Sequence, residues 1–186
     1  NSIVNLIVDK GILDAMVDNS GTIIANGGEI YLTTNAVNEL LRGVVNNTGI
    51  LEANSLDDIT GKVEVFAHGG TAEIGGIIKA ENGFVETSGK NFNFLGADIK
   101  AGKWLIDPVN IIIDTTLAGA IQTALGSGNV IISTDGGNTP ATSSGESGSD
   151  GNINVNSAIS WSSNNTLTLS AYNNININEN ITYTGT

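Results

Sequence analysis

A degenerate five-residue motif, Gly-x-apolar-x-Ala, recurs along the first hundred residues and constrains the fold more than any other feature of the sequence. It reads GTIIA at 21–25, GILEA at 49–53 and GIIKA at 76–80, with a fainter copy, ADIKA, at 97–101. Each of the first three is followed by a turn cluster and a second alternating segment, GGEIYL (27–32), GKVEVF (61–66) or GFVET (83–87), and KNFNF (90–94) comes after the last of these. A repeat of roughly 20 to 30 residues, made of short strands and polar turns, cannot bury its apolar face alone and must stack on its neighbours. Long amphipathic helices are missing from the pattern, so the expectation is an all-β fold, a parallel β-helix. Its alternate side chains fill a narrow core, and Asn and Gly take the turns because both tolerate positive φ. A β-sandwich is the rival reading, since short strands and turns suit it as well.

Composition agrees with strands. Only 14 % of the 186 residues are charged against 40 % hydrophobic, so Asn, Ser and Thr must supply the polar surface, which fits strand faces better than solvent-facing helices. Seven Lys and Arg stand against nineteen Asp and Glu, a formal charge of -12, and no cation follows Lys103. Such a surface repels phosphate backbones and anionic lipid, which argues against nucleic acid and direct lipid binding. There is no cysteine, hence no disulfide and no thiolate metal site. The chain starts at Asn1 with no charged-then-apolar leader and no apolar run near the ~20 residues of a membrane span, and is expected to be one segment, 1–186, of a longer protein.

Several stretches depart from the repeat. TNAVNELLRGV (34–44) spaces Val37, Leu40, Leu41 and Val44 at i, i+3, i+4 and i+7 with Asn35 as N-cap, which predicts a short helical insertion, and residues 8–21 hint at a weaker copy. Residues 116–133 predict a short helix and then a strand. Residues 134–151, TDGGNTPATSSGESGSDG, offer almost nothing to bury and read as an extruded, flexible polar loop. Beyond it strict alternation makes Ile153, Val155, Ile159, Leu167, Leu169, Ile175 and Ile177 core candidates. The apolar runs 104–106 and 111–113 read as two heavily buried strands with Asp107 and Pro108 as the corner between them.

The order VVNNTGILEA (44–53), GGIIKAENGFVETSGKNFNF (75–94), KWLIDPVNIII (103–113) and GNINVNSAISWSSNNTLTLSAYNNININENI (151–181) resembles the secreted exoproteins of bacterial two-partner secretion, the filamentous-haemagglutinin-like family with its high-molecular-weight adhesins. The resemblance covers most of the chain. It implies a right-handed parallel β-helix, passage through an outer-membrane partner transporter, a secreted or cell-surface location, and attachment to a host-cell receptor or glycan. Haem acquisition through a host haem carrier, a toxin-delivery stalk and a pure spacer remain alternatives on the same scaffold. No motif of the family's amino-terminal secretion domain stands out.

Chemistry is sparse in the sequence. His68 is the only histidine, so no multi-His site can form and no Ser-His-Asp triad is possible without it, and a turn hydrogen bond is its expected role. Asp57 and Asp58 offer oxygen ligands for calcium but read more simply as a solvated turn. Polysaccharide-cleaving β-helix enzymes need facing carboxylates, and Glu52, Glu64 and Glu73 lie on outward strand positions. A nearby charge stabiliser is restricted to Lys62 and Lys79, and the reading is that the chain is no enzyme, with no cofactor and no metal. Asn46, Asn164 and Asn180 begin N-x-Thr sequons and are candidate glycosylation sites. Thr134, Asp135, Asn138, Glu146 and Asp150 of the polar loop, with the helical insertion, are the candidate contact elements, because rigid scaffolds present function on loops. Open coil ends with unpaired strand edges would favour end-to-end self-association.

Overall fold

In the computed structural model, which describes residues 2–8, 14–35, 42–134 and 150–186, the repeat copies lie directly over one another. In chain order the elements are β1 (Ile3–Val8), β2 (Asp14–Asn19), β3 (Thr22–Ile24), β4 (Glu29–Asn35), β5 (Arg42–Asn47), β6 (Ile50–Glu52), β7 (Lys62–Ile74), β8 (Ile77–Phe94), β9 (Asp98–Pro108) and β10 (Ile111–Ile113). Helix α1 (Thr115–Leu125) follows, and then β11 (Asn129–Ser133), β12 (Ile153–Val155), β13 (Ile159–Trp161), β14 (Leu167–Ser170), β15 (Ile175–Ile177) and β16 (Ile181–Tyr183). The fold is mostly β, and every pairing between these strands is parallel. That removes the antiparallel sandwich as a reading.

The pairings fall into three files. In the first, Ile3 lies opposite Glu29, Glu29 opposite Lys62, Lys62 opposite Phe84, Phe84 opposite Lys103 and Lys103 opposite Asn129, after which β11 pairs with β14. The second runs through β2, β5, the end of β7 and the end of β8, and resumes as a separate sheet of β10, β12 and β15. The third begins with Thr22 opposite Ile50, Ile50 opposite Ile77 and Ile77 opposite Asp98; farther along, β13 pairs with β16. β7 and β8 each bend through a register shift from one file to the next, β7 between Ala67 and Thr71 and β8 between Ala80 and Phe84.

The repeat motif now has a physical meaning. Its central apolar residue and its final Ala point inward: Leu51, Ala53, Ile78 and Ala80 are fully buried, and Ala25, Ile99 and Ala101 nearly so. Its Gly is required where successive corners touch. A Cβ on Gly49 would stand 2.1 Å from the carbonyl oxygen of Gly21, and one on Gly76, at φ +65°, 2.1 Å from that of Gly49. Beside this corner Asn19 and Asn47 form a buried ladder. The Asn19 amide donates to Asn47 Oδ1 at 2.8 Å, and Asn47 Nδ2 donates to the Gly75 carbonyl at 2.9 Å. Farther along, Asn174, Asn176 and Asn178 donate in turn to Asn152, Asn154 and Asn156, at 3.1, 2.8 and 2.8 Å.

The expected helix and strand after Asp114 are α1 and β11. Asp114 caps α1, accepting the Leu117 N–H at 2.9 Å, and Leu117, Ala118, Ile121, Ala124 and Leu125 are buried. Other expectations need correction. The centre of the helical insertion, 36–41, lies outside the described residues, but Asn35 belongs to β4 and Val44 to β5, so neither end is helical. Residues 14–19, read as part of a weaker helical copy, form β2. β9 continues through Asp107 and Pro108, and the chain turns at Val109 and Asn110; proline is tolerated because it ends the strand and the next ladder donor is the Val109 N–H. Each apolar run buries only alternate residues, Trp104 with Ile106 and Ile111 with Ile113, while Ile112 is exposed. Ile153, Val155 and Ile159 are fully buried as expected, but Ile175 and Ile177 are 43 % and 52 % exposed, because no described strand lies beyond β15 to cover them.

Candidate ligand cleft

The second file splits where α1 enters the third. α1 lies over residues 96–99 on one side and under β13 on the other, where its Gln122 Oε1 accepts the Ser160 N–H at 2.8 Å. A helix with its side chains is ~10–12 Å across. Strand layers are spaced only ~4.8 Å apart, so α1 takes the thickness of about two. The first file stays closed, with Trp104 opposite Val130, and the misfit is expressed in the second. There the last hydrogen bond is Val109 N–H to Lys90 O at 3.4 Å, beyond which residues 91–94 of β8 and all of β10 have no strand between them among the described residues.

The opening is a cavity of about 390 Å³, within the ~300–1,000 Å³ range of ligand clefts. Phe92 and Phe94 sit opposite the fully buried Ala72 and Ile74, so they are core-facing residues made half-exposed by the split. Their rings stack with centroids 6.3 Å apart, and Phe94 continues to Trp104 at 6.1 Å. Polar groups stand around these rings: Lys90, Asp114, and Asp150, which accepts the Asn110 amide at 2.7 Å. Apart from Asp150, a candidate contact residue of the polar loop, none of this pocket is legible from spacing, since 90–94 and 111–113 read simply as strands.

A second cluster of functional groups lies on the outer face of the first file. Glu64 pairs across the ladder with Tyr31 on one side and Glu86 on the other, and Lys62 Nζ contacts Glu64 at 2.9 Å while lying 4.8 Å from the Tyr31 ring centre. Tyr31 hydrogen-bonds Glu29 through its hydroxyl. Burial, reinforced by the Glu64 charge, pushes the Glu86 carboxyl above the usual carboxylate range. Burial pulls Lys62 down, but the Glu64 hydrogen bond and charge outweigh it and leave its pKa raised.

The three carboxylates singled out in the sequence do not converge. Glu52 lies opposite Lys79 in the third file, Glu73 opposite Asn93 in the second, and Glu64 in the first. The residue that does face Glu64 is Glu86, which only the register reveals.

Among the described residues His68 has no side-chain hydrogen bond; its ring stacks on Phe66 with centroids 3.7 Å apart, and burial lowers its pKa. Asp57, at φ +51°, and Asp58 form an exposed turn closed by the Leu56–Ile59 bridge. Among the described residues no group of three or more His, Cys, Asp or Glu is placed to hold a metal. Thr134, expected as a contact residue, is 1 % exposed: its hydroxyl donates to the Gly151 carbonyl at 2.9 Å and its N–H to Ser170 O. The loop therefore starts from a buried anchor. Asp135, Asn138 and Glu146 lie outside the described residues, and Asp150 lines the cleft. Asn164 and Asn180 are exposed, whereas Asn46 is half-buried in β5 and donates to Asp18 at 2.7 Å. The chain matches no protein-family model, no curated protein and no solved structure.

Proposed function

We propose that the chain is a segment of a right-handed parallel β-helix and serves as a structural and binding module of a secreted bacterial surface adhesin. On this reading the protein leaves the cell through an outer-membrane partner transporter, and its stacked shaft holds binding elements away from the surface to meet a host-cell receptor or glycan. The observation that supports it best is the in-register stacking of the repeat copies, interrupted at one level by a cleft that exposes core-facing aromatics. A regular shaft with one local opening is what a presenting scaffold requires.

The test is attachment of the folded chain to host epithelial cells, immobilised glycans and haem-carrier proteins in parallel. A control variant replaces residues 136–149 with a short Gly-Ser linker. The Thr134 hydroxyl and Gly151 carbonyl are 2.9 Å apart, so a short linker spans the ends without pulling that anchor open. Saturable binding to cells or glycans supports an adhesin, selective binding to a haem carrier moves the assignment to haem acquisition, and no attachment in any arm leaves a spacer.

A further inference from the structure

We infer that the cleft, a strand position left open among the described residues, accepts an extended, basic polypeptide segment of a partner protein by strand addition. The inference deepens the binding-module reading and rests on it.

The argument starts from the direction of the backbone groups. In a parallel ladder the N–H and C=O of one residue point to the same neighbouring strand, and those of the next residue point the other way. Lys90 O accepts from Val109, toward β9, whereas Leu95 N–H donates to Ile74 O, toward β7. The alternation between these two fixed points sends the N–H and C=O of Phe92 and Phe94 toward the cleft. On the opposite wall, Ile111 N–H donates to Asn152 O and Ile113 O accepts from Asn156, both toward β12. The N–H and C=O of Ile112 therefore point into the cleft from the other side. Two open edges face each other, both oriented for a parallel strand between them.

The width agrees. A helix worth about two strand layers in the third file leaves room for about one extra strand in the second. Side-chain chemistry agrees too. Alternate residues of an inserted strand would face Phe92, Phe94, Ile111 and Leu117 inside the core and favour apolar groups there. The intervening residues face outward, where the lining carries two carboxylates, Asp114 and Asp150, against the single cation Lys90, on a chain of formal charge -12. Such a field favours a basic segment and opposes a second copy of this acidic chain.

The experiment titrates the full isotope-labelled chain with synthetic heptapeptides of pattern Lys-x-Lys-x-Lys-x-Lys, with x Ala, Val, Leu or Phe. The same peptides N-methylated at alternate amides, their Glu-for-Lys versions and cellohexaose form the comparison arms. The expected result is that at least one basic peptide binds about tenfold or more tightly than its methylated and acidic counterparts, and slows hydrogen exchange of the Phe92, Phe94 and Ile112 amides. Ile112→Pro deletes one cleft-facing N–H but none of the β10–β12 bonds, and should weaken binding about tenfold where Ile112→Val does not. Should the proline variant lose its strand circular dichroism, the methylated peptides on the unaltered chain make the same test. Equal binding of methylated and unmethylated peptides, preference for cellohexaose, or no binding by any basic peptide at millimolar concentration overturns the inference. Cell attachment without peptide binding removes this inference and leaves the adhesin reading; peptide binding without attachment does the reverse.

Discussion

Asn47→Asp should convert a buried ladder into a pH-dependent fault. Asn47 is fully buried, takes one hydrogen bond from Asn19 and gives its amide to the Gly75 carbonyl at 2.9 Å and, at 3.4 Å, to the Gly49 carbonyl, so it ties three successive layers together. Aspartate keeps the shape and the acceptor but has no amide donor, and when ionised it places a charge at a site with no ion pair among the described residues. The orphaned carbonyl costs about 1–3 kcal/mol. With the uncompensated charge the total comes to about 3–5 kcal/mol at neutral pH. For a chain of this length each kcal/mol lowers Tm by about 2–4 °C, so a drop on the order of 10 °C is expected. The sign with pH follows from linkage. Burial raises the new carboxyl above its unfolded value of about 3.9, so the folded state binds the extra proton first as pH falls. The protonated carboxyl then donates to Gly75 O, and the deficit relative to the parent chain shrinks with acidity. Asn47→Ala loses all three side-chain bonds without adding a charge, so its deficit should stay flat. Urea unfolding of the three proteins at neutral and mildly acidic pH checks this. A deficit under about 1 kcal/mol, or one as flat as that of the alanine variant, would refute the ladder as a source of stability.

Three further outcomes follow from the same geometry. Trp104, 1 % exposed, donates its indole N–H to Thr87 Oγ1 at 2.9 Å; Thr87→Val should cost about 1–3 kcal/mol in urea unfolding, and Trp104→Phe made in that background should cost less than in the parent. Because Glu86 is raised above its ordinary value, the folded chain binds more protons than the unfolded one in the window above about 4.5, so this group lowers stability as pH rises through that window. Glu86→Gln should therefore be more stable than the parent at neutral pH, with a flatter pH profile above that value. Asp114→Ala, which removes the cap on Leu117 N–H, should lose about 1 kcal/mol by thermal melting, and Asp114→Asn much less.

What the sequence made legible is what depends on one strand at a time. The Gly-x-apolar-x-Ala copies announced stacking, and alternation named Ile153, Val155 and Ile159 as inward residues, all fully buried. Alternation reports direction and not cover, which is why Ile175 and Ile177 point inward and are nevertheless exposed. Thr134 opened a run of polar residues and was grouped with them, yet a hydroxyl bonded to the Gly151 carbonyl is as acceptable in a core as a methyl group. The Glu64–Glu86 contact depends on the register between β7 and β8, and no local pattern encodes which residue 22 positions on will lie alongside.

The cleft was hidden for a deeper reason: it belongs to no element. KNFNF and NIII are ordinary strand sequences, and α1 is an ordinary short helix with a small apolar face. The opening arises because the helix and a strand differ in thickness while the first file holds its pairing on both sides of the misfit. The open edges stay tolerable because Phe92 and Phe94 are only half-buried and Ile112 is exposed, so water reaches backbone groups that would otherwise be costly orphans. Lys90 at the mouth is the sort of charge that discourages indiscriminate edge pairing. An occupant must therefore displace that water, satisfy Phe92 and Phe94 on one wall and Ile112 on the other, and set its positive charge beside Asp114 and Asp150, clear of Lys90. These joint demands make the cleft selective for one class of partner, where a free sheet edge would accept almost any strand.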